Sequence, residues 1–253
     1  MNIFMVVLTN YGNTCYFNVI LQIFIHTCGN SKRNEWTAVL NGLRELKIDT
    51  EFKPNLIHKY LKLTHLFKVG YPHDAHEAFL HIIDFLDDTS FKGNILHKIV
   101  TKGVPLEVNK NKEEFTSIEL ALVSYNLEEN IDEFFKYELI NGWKDKYGNK
   151  REIIKSVSIL NFPNNLVIVL KQLEHRKKKI HFPDKLNMTK YASNTNKEEI
   201  YKLISVIIHS SCHYYGYYRE KVNWYLYNDE YVRRVACVPR EHCPYMLIYT
   251  KLK

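Results

Sequence analysis

The feature that most constrains this chain is a change of periodicity partway along it. Past Glu107 come six runs rich in Val, Ile and Tyr, at Ser117 to Val123, Leu166 to Leu170, Leu203 to His209, Tyr214 to Tyr218, Asn223 to Tyr227 and Tyr245 to Thr250. Their lengths and residue types are those of strands. Ahead of them the apolar residues recur every three to four positions: Phe17, Ile20, Leu21, Phe24 and Ile25, and then Ala75, Phe79, Ile82, Ile83 and Leu86 within His73 to Leu86. Each set falls on one face of an amphipathic helix. A helical part followed by a strand-rich part is the pattern of an α+β fold. The polar stretch Glu128 to Arg151 reads as a hairpin-like excursion from the sheet, turning at Lys146-Tyr147-Gly148-Asn149. No repeat or low-complexity linker divides the chain, so one domain over 1–253 is expected, helical over 1–92 and strand-rich over 93–253.

Composition narrows the partners. With 253 residues and 45% hydrophobic content, the chain can bury a sizeable core. It has no apolar run of membrane-spanning length, and Met1 to Leu8 lacks the basic start of a secretory signal, so an intracellular protein with no membrane partner is expected. The five cysteines, Cys15, Cys28, Cys212, Cys237 and Cys243, are odd in number and include no CxxC pair. That is a poor disulfide framework and a poor zinc site, so no metal and no cofactor is expected. The net charge of +7 raises the question of nucleic acid, yet the only basic run is Arg176-Lys177-Lys178-Lys179, between two extended stretches. A solvated connection accounts for it, and no specific nucleic-acid partner is expected.

The chemistry is concentrated at Asn10-Tyr11-Gly12-Asn13-Thr14-Cys15, a turn-forming run that ends in a cysteine at the start of an apolar helix. There the helix dipole and unpaired N–H groups favour a thiolate, so a lowered thiol pKa is expected. The same position also suits a small buried residue on a core helix. Asn10 places a carboxamide beside the thiol, a candidate oxyanion donor. A cysteine nucleophile needs a base and a group that orients the base. Of the twelve histidines, His213 opens one strand, and the next strand ends in Asn228-Asp229. Adjacent antiparallel strands would make His213 and Asn228 neighbours. His209 competes with His213 as the base. Cysteine early, histidine late and Asn or Asp after it is the chain order of papain-like proteases.

Six segments, in order, resemble the ubiquitin-specific proteases, a family of cysteine deubiquitinases. Thr9 to Gln22 is similar to the family's cysteine box, and His73-Asp74-Ala75-His76-Glu77 to its Gln-Asp-Ala-His-Glu box. Asn165 to Leu173 and Lys179 to Pro183, with Leu186 and Tyr191, resemble two of its strands. Tyr201 to Tyr217 with Trp224 to Val232 resembles the histidine box, and Tyr245 to Tyr249 the closing strand. The resemblance implies a papain-like cysteine protease fold, with a helical thumb, an antiparallel-sheet palm and reduced fingers. It implies Cys15 as nucleophile, His213 as general base, Asn228 as orienting residue with Asp229 assisting, and Asn10 at the oxyanion position. It makes Asp74 and Glu77 candidates for gripping the arginine-rich tail of ubiquitin, with Tyr214 beside them. On the residues alone, Asp74 equally suits a helix cap. The implied reaction is hydrolysis after ubiquitin's C-terminal Gly-Gly by a monomeric enzyme, whose partner is ubiquitin or a ubiquitinated protein.

Three departures stand out. The family's finger CxxC pairs have no counterpart around Val100 to Val108 or Gly142 to Arg151, Cys212 replaces the glycine usual before the histidine, and Leu170-Lys171-Gln172-Leu173 lacks the usual Arg-Phe ending. Two alternatives stay open at this point: a protease for another Gly-Gly modifier, and a ubiquitin-binding module without turnover.

Overall fold

Helix α1 (Cys15–Thr27) is buried on all sides from Cys15 through Ile25, not on one face as its spacing suggests. The reason is its position: α2 (Ala75–Leu86) packs on one side of it and a β-sheet on the other. Phe24 of α1 stacks on Phe79 of α2, ring centroids 5.8 Å apart. The computed structural model describes residues 7–27, 51–52, 65–68, 70–102, 107–145, 147–171, 179–194, 197–239 and 243–252. Along the chain, β1 (Val7–Leu8) precedes α1, and β2 (Glu51–Phe52) pairs with it in parallel. After α2 come β3 (Gly93–Thr101), β4 (Val108–Phe115), β5 (Ile118–Ala121), α3 (Leu127–Phe135), β6 (Glu138–Lys144), β7 (Lys150–Asn161) and β8 (Asn165–Lys171). The chain continues through β9 (Lys185–Asn187), β10 (Ile200–Ser210), β11 (His213–Glu220), β12 (Asn223–Asn228), β13 (Tyr231–Val235) and β14 (Pro244–Lys251).

The large sheet runs β13-β12-β11-β10-β14-β8-β5, with β9 paired to β10. All its pairs are antiparallel except β5 with β8. Its two faces carry separate cores. Val167, Val169, Met246 and Ile248 join α1 and α2 on one face, while Leu166, Ile168, Leu170, Leu247 and Tyr249 pack on the other. Burial on both faces is why β8 and β14 read as nearly continuous apolar runs instead of alternating ones.

A second sheet, β4-β3-β7-β6, is antiparallel throughout. The excursion expected over Glu128 to Arg151 is a hairpin only from β6 onward, turning where Asp145 accepts hydrogen bonds from the backbone of Tyr147 and Asn149. Its first part is α3. Asn126 caps that helix, accepting from the Glu128 N–H at 2.8 Å, and Glu128 and Glu129 suit the positive end of the dipole. Leu127 and Ile131, one turn apart, bury it. The second helix also begins later than its spacing suggests, because Asp74 caps it and it starts at Ala75. The basic run lies outside the described residues apart from Lys179, which is exposed, as do Gln172 and Leu173. No helix among the described residues is long and apolar enough to cross a membrane.

Candidate active site

Three tight hairpins determine which residues meet at one end of the large sheet. Ser210 pairs with His213, Glu220 with Asn223 and Asn228 with Tyr231, leaving two residues in each turn. The first turn residue in each case, Ser211, Lys221 or Asp229, has a left-handed backbone with φ near 50°. The first and third turns lie at the same end of the sheet, so the start of β11 meets the end of β12. There His213 Nε2 is 2.6 Å from Asn228 Oδ1. An amide oxygen only accepts, so Nε2 carries the proton and Nδ1 is left as the basic nitrogen. Cys212, in place of the usual glycine, is exposed.

Cys15 arrives at this end because α1 packs along β11. Gly216 permits the close approach: a Cβ there would lie 2.5 Å from Tyr218 Oη, and Tyr218 donates to the Val19 carbonyl of α1 at 2.6 Å. The turn before α1 is closed by Asn10, whose Oδ1 accepts from the Thr14 N–H at 3.1 Å, while Thr14 Oγ1 accepts from the Tyr11 N–H. Gly12 and Asn13, at φ 74° and 64°, complete it. The thiol faces the N–H groups of Cys15, Tyr16 and Tyr214, all of which stabilise a thiolate. Burial outweighs them. It pushes the Cys15 thiol above its ordinary value, and the nearby Asp229 charge adds to the rise. The lowered value expected from the helix position is therefore not found: the site holds a neutral thiol, because the helix end is buried as well as polarised.

Asp229 organises the other wall. Its Oδ2 accepts from Asn10 Nδ2 at 2.9 Å and its Oδ1 from Asn18 Nδ2 at 2.7 Å, and it lies 3.8 Å from His213 Nε2. Burial raises its carboxyl pKa, while the two amide donors work against the rise. Next to it, Glu230 accepts from the Asn10 backbone N–H at 2.7 Å. The β12–β13 turn thus grips Asn10 by backbone and side chain, leaving one hydrogen of its amide for another acceptor.

The residues expected to meet substrate divide. Glu77 is exposed on the first turn of α2, and its carboxylate makes no ion pair with a described residue. Tyr214 is buried, its ring stacked on His209 at 4.1 Å and 6°, so it presents backbone instead of side chain to the site. Asp74 is occupied inside the protein. It caps α2 through the His76 and Glu77 N–H groups and accepts from Tyr245 Oη at 2.7 and 2.8 Å and from Tyr214 Oη at 3.4 Å.

Asn18 and Tyr245 were not singled out from the sequence. A signal existed for Asn18, a polar residue three positions after Cys15 within an apolar helix. None existed for Tyr245, 171 residues from Asp74. A cavity of about 470 Å³ beside Trp224, Leu203 and Ile180 belongs to the opposite core and includes none of these residues. Among the described residues no three His, Cys, Asp or Glu converge as metal ligands.

Comparison with known proteins gives the chain's relatives and the family it matches. The chain is 30% identical to ubiquitin carboxyl-terminal hydrolase 25 of Arabidopsis thaliana, across 89% of this chain and 44% of that protein. It is 25% identical to ubiquitin carboxyl-terminal hydrolase 19 of the same plant, across 97% and 46%. It thus spans about half the length of these curated relatives. Its fold is similar to that of one chain in the structure of the SAGA Ubp8/Sgf11/Sus1/Sgf73 DUB module bound to ubiquitin aldehyde, with a TM-score of 0.82 at 22% identity over 98% of this chain and 70% of that chain. The model of the ubiquitin carboxyl-terminal hydrolase family matches residues 6–249, nearly the whole chain, and the protein belongs to that family.

Proposed function

We propose that this protein is a thiol-dependent deubiquitinase that hydrolyses the bond after the C-terminal glycine of ubiquitin. The observation that carries the reading is the convergence of Cys15, His213 and Asn228 at one sheet end, with N–H donors already aimed at the thiol. Asn228 holds the imidazole so that Nδ1 is free to accept a proton. Because the thiol starts neutral, His213 removes its proton as Sγ attacks the glycine carbonyl. The carbonyl oxygen gains negative charge, which the Cys15 N–H and the second amide hydrogen of Asn10 stabilise. The imidazolium then gives its proton to the departing lysine amine. A water activated by the same nitrogen cleaves the thioester and frees ubiquitin and the thiol. Asp229, charged where Asn228 is neutral, aligns Asn10 and stabilises the imidazolium from 3.8 Å. His209, stacked flat on Tyr214, serves packing at the sheet end. Exposed Glu77 is the carboxylate that meets an arginine of the ubiquitin tail.

The test is hydrolysis of ubiquitin carrying a C-terminal fluorogenic amide, by wild type, Cys15→Ala, His213→Ala and His209→Ala. The reading expects turnover by wild type and His209→Ala only. Turnover by Cys15→Ala would contradict it. A parallel substrate bearing another Gly-Gly modifier distinguishes the substrate from the chemistry.

A further inference from the structure

The N-terminus of α2 is closed by residues from two palm strands. Asp74 accepts from the His76 and Glu77 N–H groups at 2.8 and 3.0 Å, and two tyrosines of the large sheet close over its carboxylate. Tyr245 donates to both oxygens of Asp74, and Tyr214 to one. The rings of Tyr214 and Tyr245 meet edge to face at 5.6 Å, and His209 packs against both. The cluster therefore joins helix α2, strand β11 and strand β14 at one point. From that point the path to the thiol is one residue long. The same Tyr214 whose phenol is held in the cluster lies in one core with Cys15, and its neighbour is His213, which bonds Asn228 at 2.6 Å.

We propose that Asp74 and Tyr245 are positioning residues for the reaction: they hold the Tyr214 phenol, and through it the start of β11 with His213, in register with the Cys15 thiol. The role rests on the proposed cysteine hydrolase reading. It differs from a grip on substrate arginine, because each Asp74 oxygen already accepts from groups within the protein. What the cluster needs from residue 74 is an acceptor oxygen, since Oδ1 alone serves the His76 N–H, the Glu77 N–H and the Tyr245 hydroxyl. What a grip on arginine needs is a negative charge. The two roles therefore respond differently to an amide.

The experiment compares Asp74→Ala, Asp74→Asn and Tyr245→Phe with wild type. Two readouts are used: kcat and KM on the fluorogenic ubiquitin substrate, and the rate at which iodoacetamide alkylates Cys15 without ubiquitin. Peptide-resolved mass spectrometry separates Cys15 from the exposed Cys212 and Cys237. Losing one aligned donor is expected to lower kcat about tenfold in Tyr245→Phe with KM changed less than about twofold. The same variant should alter Cys15 alkylation by a similar factor, and Asp74→Asn should recover most of the rate lost in Asp74→Ala. Thermal melting of Tyr245→Phe, nearly isosteric with wild type, shows whether the variant is folded at the assay temperature.

The proposal is overturned if Asp74→Asn is as impaired as Asp74→Ala, if the loss falls on KM, or if the defect vanishes with ubiquitin whose tail arginines are replaced by leucine. Unchanged Cys15 alkylation in both Tyr245→Phe and Asp74→Ala overturns it as well. Because alkylation needs no ubiquitin, a wild type inactive on ubiquitin would sink the proposed function while the alkylation comparison still decides the positioning role.

Discussion

The two sheets use polar residues in opposite ways. At the end of the large sheet that carries Cys15 and His213, polar side chains from distant parts of the chain satisfy one another or a backbone carbonyl: Asn10 and Asn18 with Asp229, Asp74 with Tyr214 and Tyr245, Tyr218 with the Val19 carbonyl. Each bond ties a helix or its entry turn to a strand or to the turn that follows one, and most of the groups are partly or wholly buried. In β4-β3-β7-β6, side-chain pairs such as His97 with Glu113 and Lys155 with Glu138 run between neighbouring strands and face solvent. Seven of the eight residues of β4 are exposed. Similar residue types thus do different physical work. Long-range buried bonds fix geometry, whereas cross-strand pairs in water contribute little to stability.

The largest expected effect is chemical. His213→Ala should lower kcat/KM for the fluorogenic ubiquitin substrate by about a thousandfold, the scale of lost general-base catalysis. Asn228→Ala, which removes one orienting bond, should cost about tenfold. If Asn228→Ala cost as much as His213→Ala, the share assigned to Asp229 would be wrong.

Next come changes where α1 meets its neighbours. Phe24→Ala empties the contact with Phe79 and should cost about 3–5 kcal/mol in urea unfolding. Gly216→Ala forces the Tyr218 ring from its place and should cost about 1–3 kcal/mol. Losses below about 0.5 kcal/mol for both would show that the helix–sheet contact is not tightly packed.

A subtler effect concerns pH. Because burial and Asp229 raise the Cys15 thiol, its alkylation by iodoacetamide should rise with pH through a midpoint above that of an ordinary thiol, and Asp229→Asn should move the midpoint down. A wild-type midpoint near neutrality would indicate a preformed thiolate–imidazolium pair. At the bottom of the scale, Lys112→Ala or Glu114→Ala in β4 should change unfolding free energy by less than about 0.5 kcal/mol. A loss of several times that would erase the contrast between the sheets.

The sequence made visible those parts in which burial imposes a pattern. The strands around β8, β10 to β12 and β14 stood out because two cores select Val, Ile, Leu and Tyr along them. Strands β3 and β4 did not, since β4 is held by backbone pairing and reads as Val-Asn-Lys-Asn-Lys-Glu-Glu-Phe. Helix α3 was hidden by its charge, although its Asn126 cap was there to find. At the site, Cys15, His213 and Asn228 were legible because one lies at a helix start and two at linked strand ends. The link from Asp229 to Asn10 and the closure of α2 by Tyr245 were not, because nothing local ties residues more than 170 positions apart. The direction of the thiol shift was missed for a related reason. A helix start is visible in sequence, but the burial that outweighs its dipole is a property of the packed structure.

The most direct test of the central claim is covalent capture. The protein is incubated with ubiquitin bearing an electrophile at its C-terminus, and the adduct is mapped by peptide mass spectrometry. The account predicts a single adduct on Cys15, absent in Cys15→Ala and slowed in His213→Ala. An adduct on Cys212, Cys237 or Cys243 instead, or none at all while ubiquitin still binds, would contradict it.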